Sequence, residues 1–205
     1  RSVGYLCFAV ALGIVVAPQL YVYQTLNGTF GPTPFVVEKF SLLPRYAFAV
    51  LFSGFHGLFS WHPVTLVAVL GLAALWRRAP RVAAALVVFV AAQVLVIGSY
   101  ETWWGGASFG ARRFINCTAI FSLGLAVGFG TLRGRFRHLA AVAIAGLVLW
   151  NAGLAVQYSV GLIPRDAPVS IGRIARNQVF EVPPRIAQIA WRFAFDRSSL
   201  YRTRP

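Results

Sequence analysis

The chain has 205 residues, of which 58% are hydrophobic and only 12% charged, and its mean hydropathy is +0.69. Ordinary soluble domains are about 45–50% apolar and about 25% charged, so this composition excludes one and predicts an all-α polytopic transmembrane helical bundle. The net charge of +14 is carried almost wholly by arginine, placed at the ends of apolar runs and in the C-terminal tail, not along a polar face. That placement argues against nucleic acid as a partner and for charge that flanks membrane helices.

The chain begins with Arg1 and contains no methionine, which predicts a processed chain or part of a longer protein. A first span is expected over about 3–23, with Pro18 near its end and Tyr21 and Tyr23 suited to the interfacial aromatic belt. Asn27-Gly28 and Gly31-Pro32 mark the following loop, and Asn27-Gly28-Thr29 matches a glycosylation sequon. The aromatic stretch 46–59, broken by Gly54 and Gly57, predicts an interfacial or re-entrant segment.

Further spans are expected over about 57–76, 82–99, 114–132 and 139–158, giving about five in a domain that covers 1–158. Two short basic turns separate them, one with Arg77, Arg78 and Arg81, the other with Arg133, Arg135 and Arg137. The positive-inside rule puts both turns in the cytoplasm. Parity then places Arg1 in the cytoplasm and the 100–113 loop and tail 159–205 outside. Ile186, Ile189, Ala190, Phe193 and Phe195, interleaved with Arg185, Arg192 and Arg197, predict an amphipathic helix on the membrane.

Cys7 and Cys117 stand in apolar runs without metal-ligand spacing and are expected to be small buried hydrophobes. No nucleotide fingerprint, nucleophile elbow or metal motif occurs, and no cofactor or metal is expected. His56 and His62 flank an aromatic segment at a spacing that does not suit a helical metal pair.

The stretch from Tyr100 to Phe114 is the most polar and glycine-rich interruption. Arg112 and Arg113 stand where a helix enters the membrane, a costly place for an unpaired guanidinium. They either snorkel to lipid phosphates or hold the phosphate of a lipid-linked substrate through bidentate hydrogen bonds. Gly105, Gly106 and Gly110 allow close backbone approach, and Ser108 adds a donor. Glu101 is either an ion-pair partner of the arginines or a group that orients an acceptor. Trp103 and Trp104 are either belt residues or sugar platforms. His62, just before Pro63, offers a further hydrogen bond to phosphate or sugar.

Pro18-Gln19-Leu20, the segment Gly57-Leu58-Phe59-Ser60-Trp61-His62-Pro63, the string Trp103-Trp104-Gly105-Gly106-Ala107-Ser108-Phe109-Gly110-Ala111-Arg112-Arg113-Phe114, and Gly161-Leu162-Ile163-Pro164, Arg176-Asn177-Gln178 and Asp196-Arg197 in the tail form one pattern. It resembles the C-terminal half of bacterial GT-C type integral-membrane glycosyltransferases of the protein O-mannosyltransferase and aminoarabinose transferase group. The resemblance implies sugar transfer from a polyprenyl-phosphate donor on the outer side of the bacterial plasma membrane. Its catalytic acid would lie upstream of this chain, which has no paired-acid motif. Membrane lipids, the lipid-linked sugar, and the remaining half or other membrane subunits are the expected partners. A non-catalytic scaffold or accessory subunit that retains the fold and holds structural lipids is the other reading. A transporter is disfavoured, because the spans hold almost no ionisable residues.

Overall fold

The computed structural model describes residues 2–197. Arg1, Arg202 and Arg204, counted above among the flanking and tail charges, lie outside the described residues. Every regular element among the described residues is helical, as composition requires, and the described residues up to 42 and from 43 onward form two compact units.

In the first unit, α1 (Ser2–Asn27) is apolar around its whole circumference and exposes its side chains to its surroundings. Gly28, at φ 70°, ends it with a bond from its N–H to Gln24 O (3.0 Å). A short helix, α2 (Pro34–Glu38), follows with proline in its first turn.

The second unit begins with two short helices, α3 (Ala47–Phe52) and α4 (Leu58–Trp61). They replace the single interfacial segment expected there. Tyr46 N–H donates to Gly98 O (3.0 Å), which ties the start of α3 to a residue 52 positions further along the chain. The stretch 57–76 is not one helix. α4 ends before His62, and α5 (Pro63–Trp76) begins after it. Pro63 carries no N–H and disfavours helical geometry at the residue before it, and His62 accordingly sits at φ −125°, ψ 66°. The 14 residues of α5 rise about 21 Å, less than the roughly 30 Å hydrocarbon layer.

α6 (Pro80–Gly98), a 3-10 turn (Arg112–Cys117) running into α7 (Thr118–Thr131), and α8 (Arg135–Ser159) are each long and apolar enough to cross a membrane, as is α1. These helices support an integral membrane protein. α5 and α7 run parallel, with α6 and α8 antiparallel to them. The two arginine turns therefore share one end of the unit, and the 99–111 loop lies at the other.

The closest helix pair is α5 with α7. A Cβ at Gly124 would strike Ala68 O, one at Gly71 would strike Gly124 O, and one at Gly128 would stand 2.9 Å from Gly71 Cα. The sequence signal is Gly124-x-x-x-Gly128, which lets backbones approach where lipid removes the usual hydrophobic drive for association. Ala68, Leu72, Phe121 and Cys117 are buried around this seam. Cys117 is thus the small buried side chain expected, whereas Cys7 is exposed on α1.

α9 (Ile171–Phe180), capped by Ser170 Oγ accepting from Arg173 N–H (3.3 Å), stands along the last turns of α8, and α10 (Val182–Phe195) follows. α10 covers most of the expected amphipathic segment.

Candidate functional site

The 99–111 loop closes on itself through left-handed glycines. Gly105, Gly106 and Gly110 adopt φ 81°, 74° and 60°, a region L side chains rarely enter. Gly105 N–H donates to Thr102 O (3.1 Å), Ser108 N–H to Gly106 O (2.8 Å) and Ser108 Oγ to Gly105 O (3.2 Å). Ser108 thus spends its hydroxyl on the loop's own backbone. Tyr158, from the end of α8, holds the loop from outside by donating to Ala107 O (2.6 Å).

The two arginines diverge. Arg113 is half-buried, donates from Nη2 to Thr102 O (3.1 Å) and lies over the Tyr100 ring at 4.8 Å. Its carbonyl accepts from Gln93 Nε2 (3.1 Å), and Gln93 Oε1 accepts from Asn116 (3.1 Å). Arg113 is therefore a staple between the loop and α6. Arg112 is exposed, and its side chain makes no hydrogen bond or ion pair among the described residues. Its Nε passes close over Gly105, where an added Cβ would stand 3.3 Å away.

Glu101 is exposed and, among the described residues, pairs with neither arginine, so the ion-pair expectation is not met. Trp103 is only 8% exposed and packs in the core with Phe55 and Trp104 at ring distances of 6.5 and 6.1 Å. Burial removes it from both roles expected of it, belt residue and sugar platform. Trp104 is half-buried and stacks on Phe55 at 5.4 Å.

Two histidines grip Gly110. His56 is 2% exposed, lies at φ 62° and stacks flat on Trp61 (4.5 Å, 10°). Its Nδ1 is 3.3 Å from Gly110 O, and because a carbonyl only accepts, Nδ1 carries the proton. Its Nε2 is buried without a hydrogen-bond partner among the described residues. The His62 ring fills the space where a Gly110 side chain would be, so Gly110 is fixed by both φ and contact. His62 Nδ1 lies 2.6 Å from Asn151 Nδ2, which also donates to Trp61 O (2.9 Å), and His62 Nε2 lies 3.3 Å from the Ala111 N–H nitrogen. A neutral imidazole has one acceptor nitrogen, so two donors compete for it.

Burial pushes both histidines below the ordinary imidazole value of 6.5. For His56, the Gly110 and Arg165 carbonyls pull the other way. For His62, the Asn151 bond opposes burial and the nearby His56 adds to it.

An open groove of about 360 Å³ starts at this loop and runs between α5 and α7, lined by His62, Phe109, Arg112, Thr65, Phe121 and Leu125 among others. A second, apolar groove of about 290 Å³ lies between α5, α7 and α8, shares Leu125 with the first and reaches Leu132. The exposed Arg112 thus stands at the mouth of an apolar furrow. Of the expected site residues, the fold brings together Arg112, Arg113, Gly105, Ser108 and His62. It leaves Glu101 and Gly106 at the exposed rim and sets Trp104 against Phe55. Asn151, Tyr158 and Phe109 were not expected. The lone amide of Asn151 inside an apolar run was the available signal.

Comparison with protein-family models, curated proteins and solved structures finds no match.

Proposed function

We propose that this chain is the donor-binding part of a membrane glycosyltransferase that moves a sugar from a polyprenyl-phosphate carrier to an acceptor on the extracytoplasmic side. One observation carries the reading: Arg112, whose guanidinium has no partner among the described residues, opens onto an apolar groove at the start of a helix long and apolar enough to cross a membrane. A lipid phosphate pairs with such a group through charge-assisted bonds, and its isoprenoid chain suits the furrow along α5 and α7. Arg112 is the phosphate contact. Arg113, His62, Ser108 and Gly105 shape the loop that presents it, Gly106 leaves its rim open, and Trp104 and Glu101 flank it. The arginine turns at the far end face the cytoplasm under the positive-inside rule, which puts the loop outside in a bacterial plasma membrane.

No acid lines the groove beside Arg112, which suits a second reading, a non-catalytic subunit that holds a structural anionic lipid in the same groove. Direct binding of a polyprenyl-phosphate sugar and of phosphatidylglycerol to the purified chain separates the two. Preference for the polyprenyl ligand, weakened at least about ten-fold by Arg112→Ala, supports the first. Equal affinity for both lipids supports the second. Unchanged affinity of Arg112→Ala for both removes Arg112 from either role.

A further inference from the structure

α9 and α10 are held at a definite height on the bundle. Gln157, fully buried on α8, donates to Ile174 O (3.2 Å) and Gln178 Oε1 (2.7 Å). Gln178 Nε2 in turn reaches Trp150 O (3.2 Å) and Leu149 O (3.4 Å), in a notch that Gly153 leaves open. α9 therefore descends along the last turns of α8, and α10 starts near the level of Trp150. The next residue, Asn151, bonds His62, the residue that precedes α5. The start of α10 thus lies near the level at which α5 and the Arg112 turn begin their apolar runs.

Along α10, Val182, Ile186, Ile189 and Phe193 form one stripe by helical spacing. It is buried at Val182 and then opens, with Ile186, Ile189 and Phe193 at 48%, 40% and 59% exposure. Leu149 on α8 and Val179 and Phe180 on α9 are exposed as well, so the apolar surface continues from a spanning helix onto α10. Arg185, Gln188 and Arg192 form the adjacent stripe, and Trp191 packs on Phe195 at 4.3 Å. Between residues 171 and 197 stand five arginines, Arg173, Arg176, Arg185, Arg192 and Arg197, against Glu181 and Asp196.

We propose that α10 is an interfacial helix that binds the anionic phospholipid surface of the leaflet on the loop side. The Ile186, Ile189 and Phe193 stripe lies among acyl chains, and Arg185 and Arg192, on the flank of that stripe, meet lipid phosphates. Apolar area alone would anchor the helix to any bilayer. The arginines make it selective, at about five-fold in partitioning for each near an anionic surface. This also accounts for a basic tail at the end of the bundle opposite the arginine turns, and it does not depend on the glycosyltransferase reading.

The test is hydrogen exchange of the full chain in nanodiscs, one set of phosphatidylcholine alone and one with a third of the lipid replaced by phosphatidylglycerol. Amides of 182–195 are expected to exchange at least about ten times more slowly in the anionic discs, with α8 unchanged as the folding control. Arg185→Gln with Arg192→Gln is expected to abolish that difference while leaving exchange in the neutral discs as it was. Equal exchange in both discs overturns the proposal, as does slowing that survives the double variant. Full protection of α10 in detergent without phospholipid overturns it too, because protein contacts would then suffice.

Discussion

Asn151 Nδ2 lies 2.6 Å from His62 Nδ1, so a side chain of α8 fixes the ring on which the arginine loop rests. Through His62 the contact reaches Gly110 and Ala111, the two residues before Arg112. A helix remote in sequence thereby sets where the exposed guanidinium stands.

Asn151→Leu removes the amide that serves both His62 and Trp61 O. A buried polar group left without its partner costs about 1–3 kcal/mol. Lower thermal stability in detergent is expected, together with faster exchange at Gly110 and Ala111. A variant with unchanged melting and unchanged exchange there would show that the contact does not hold the loop.

The adjacent arginines should separate in mutagenesis. Arg113→Ala loses the bond to Thr102 O and the contact with Tyr100, and about 1–3 kcal/mol of stability with them. Arg112→Ala should leave stability within about 0.5 kcal/mol, as for surface positions generally. Melting curves of the two variants, measured side by side, check this. Equal losses would contradict the division of roles.

Stability should fall on acidification. Both His56 and His62 are held below their ordinary value by burial. Near neutral pH both rings are neutral, folded or unfolded. As the pH drops below about 6.5 the unfolded chain takes up protons that the folded chain resists, so stability is present above that value and lost below it. Melting temperature recorded from pH 7.5 down to 5 is expected to decline, less steeply in His56→Asn, which also tolerates the left-handed backbone at that position. A flat profile in the parent chain would refute the burial argument.

Gly124→Val places atoms where Ala68 O and the Leu72 side chain already stand. Overpacking costs about 1–3 kcal/mol, and here the obstacle is backbone, so the upper end is expected. The measurement is the melting temperature beside that of Gly130→Val, whose site has open space. Similar melting of the two would mean that the α5 and α7 backbones do not meet closely.

Much of the fold was legible in the order of residues. Long apolar runs closed by arginine turns define the spanning helices, because backbone polar groups in lipid must pair within their own segment. The break at Pro63, which shortens α5 against the span expected over 57–76, the Gly124–Gly128 seam and the left-handed path of the loop glycines were not among the expectations, although each acts over a few neighbouring residues.

The division of labour within the loop was decided only in three dimensions. Arg112 and Arg113 are chemically identical neighbours, yet Tyr100, Thr102 and Gln93 capture one and leave the other facing a groove. Trp103 and Trp104 read alike as interfacial aromatics, but Trp103 is turned into the core. His62 looked free to bind a ligand until Asn151, far along the chain, took up its ring. The sequence by itself determined that this is a helical membrane protein with a polar, glycine-rich arginine loop. Which side chains are consumed in holding that loop, and which stays without a partner among the described residues, depended on contacts between distant segments, and those exist only once the helices are packed.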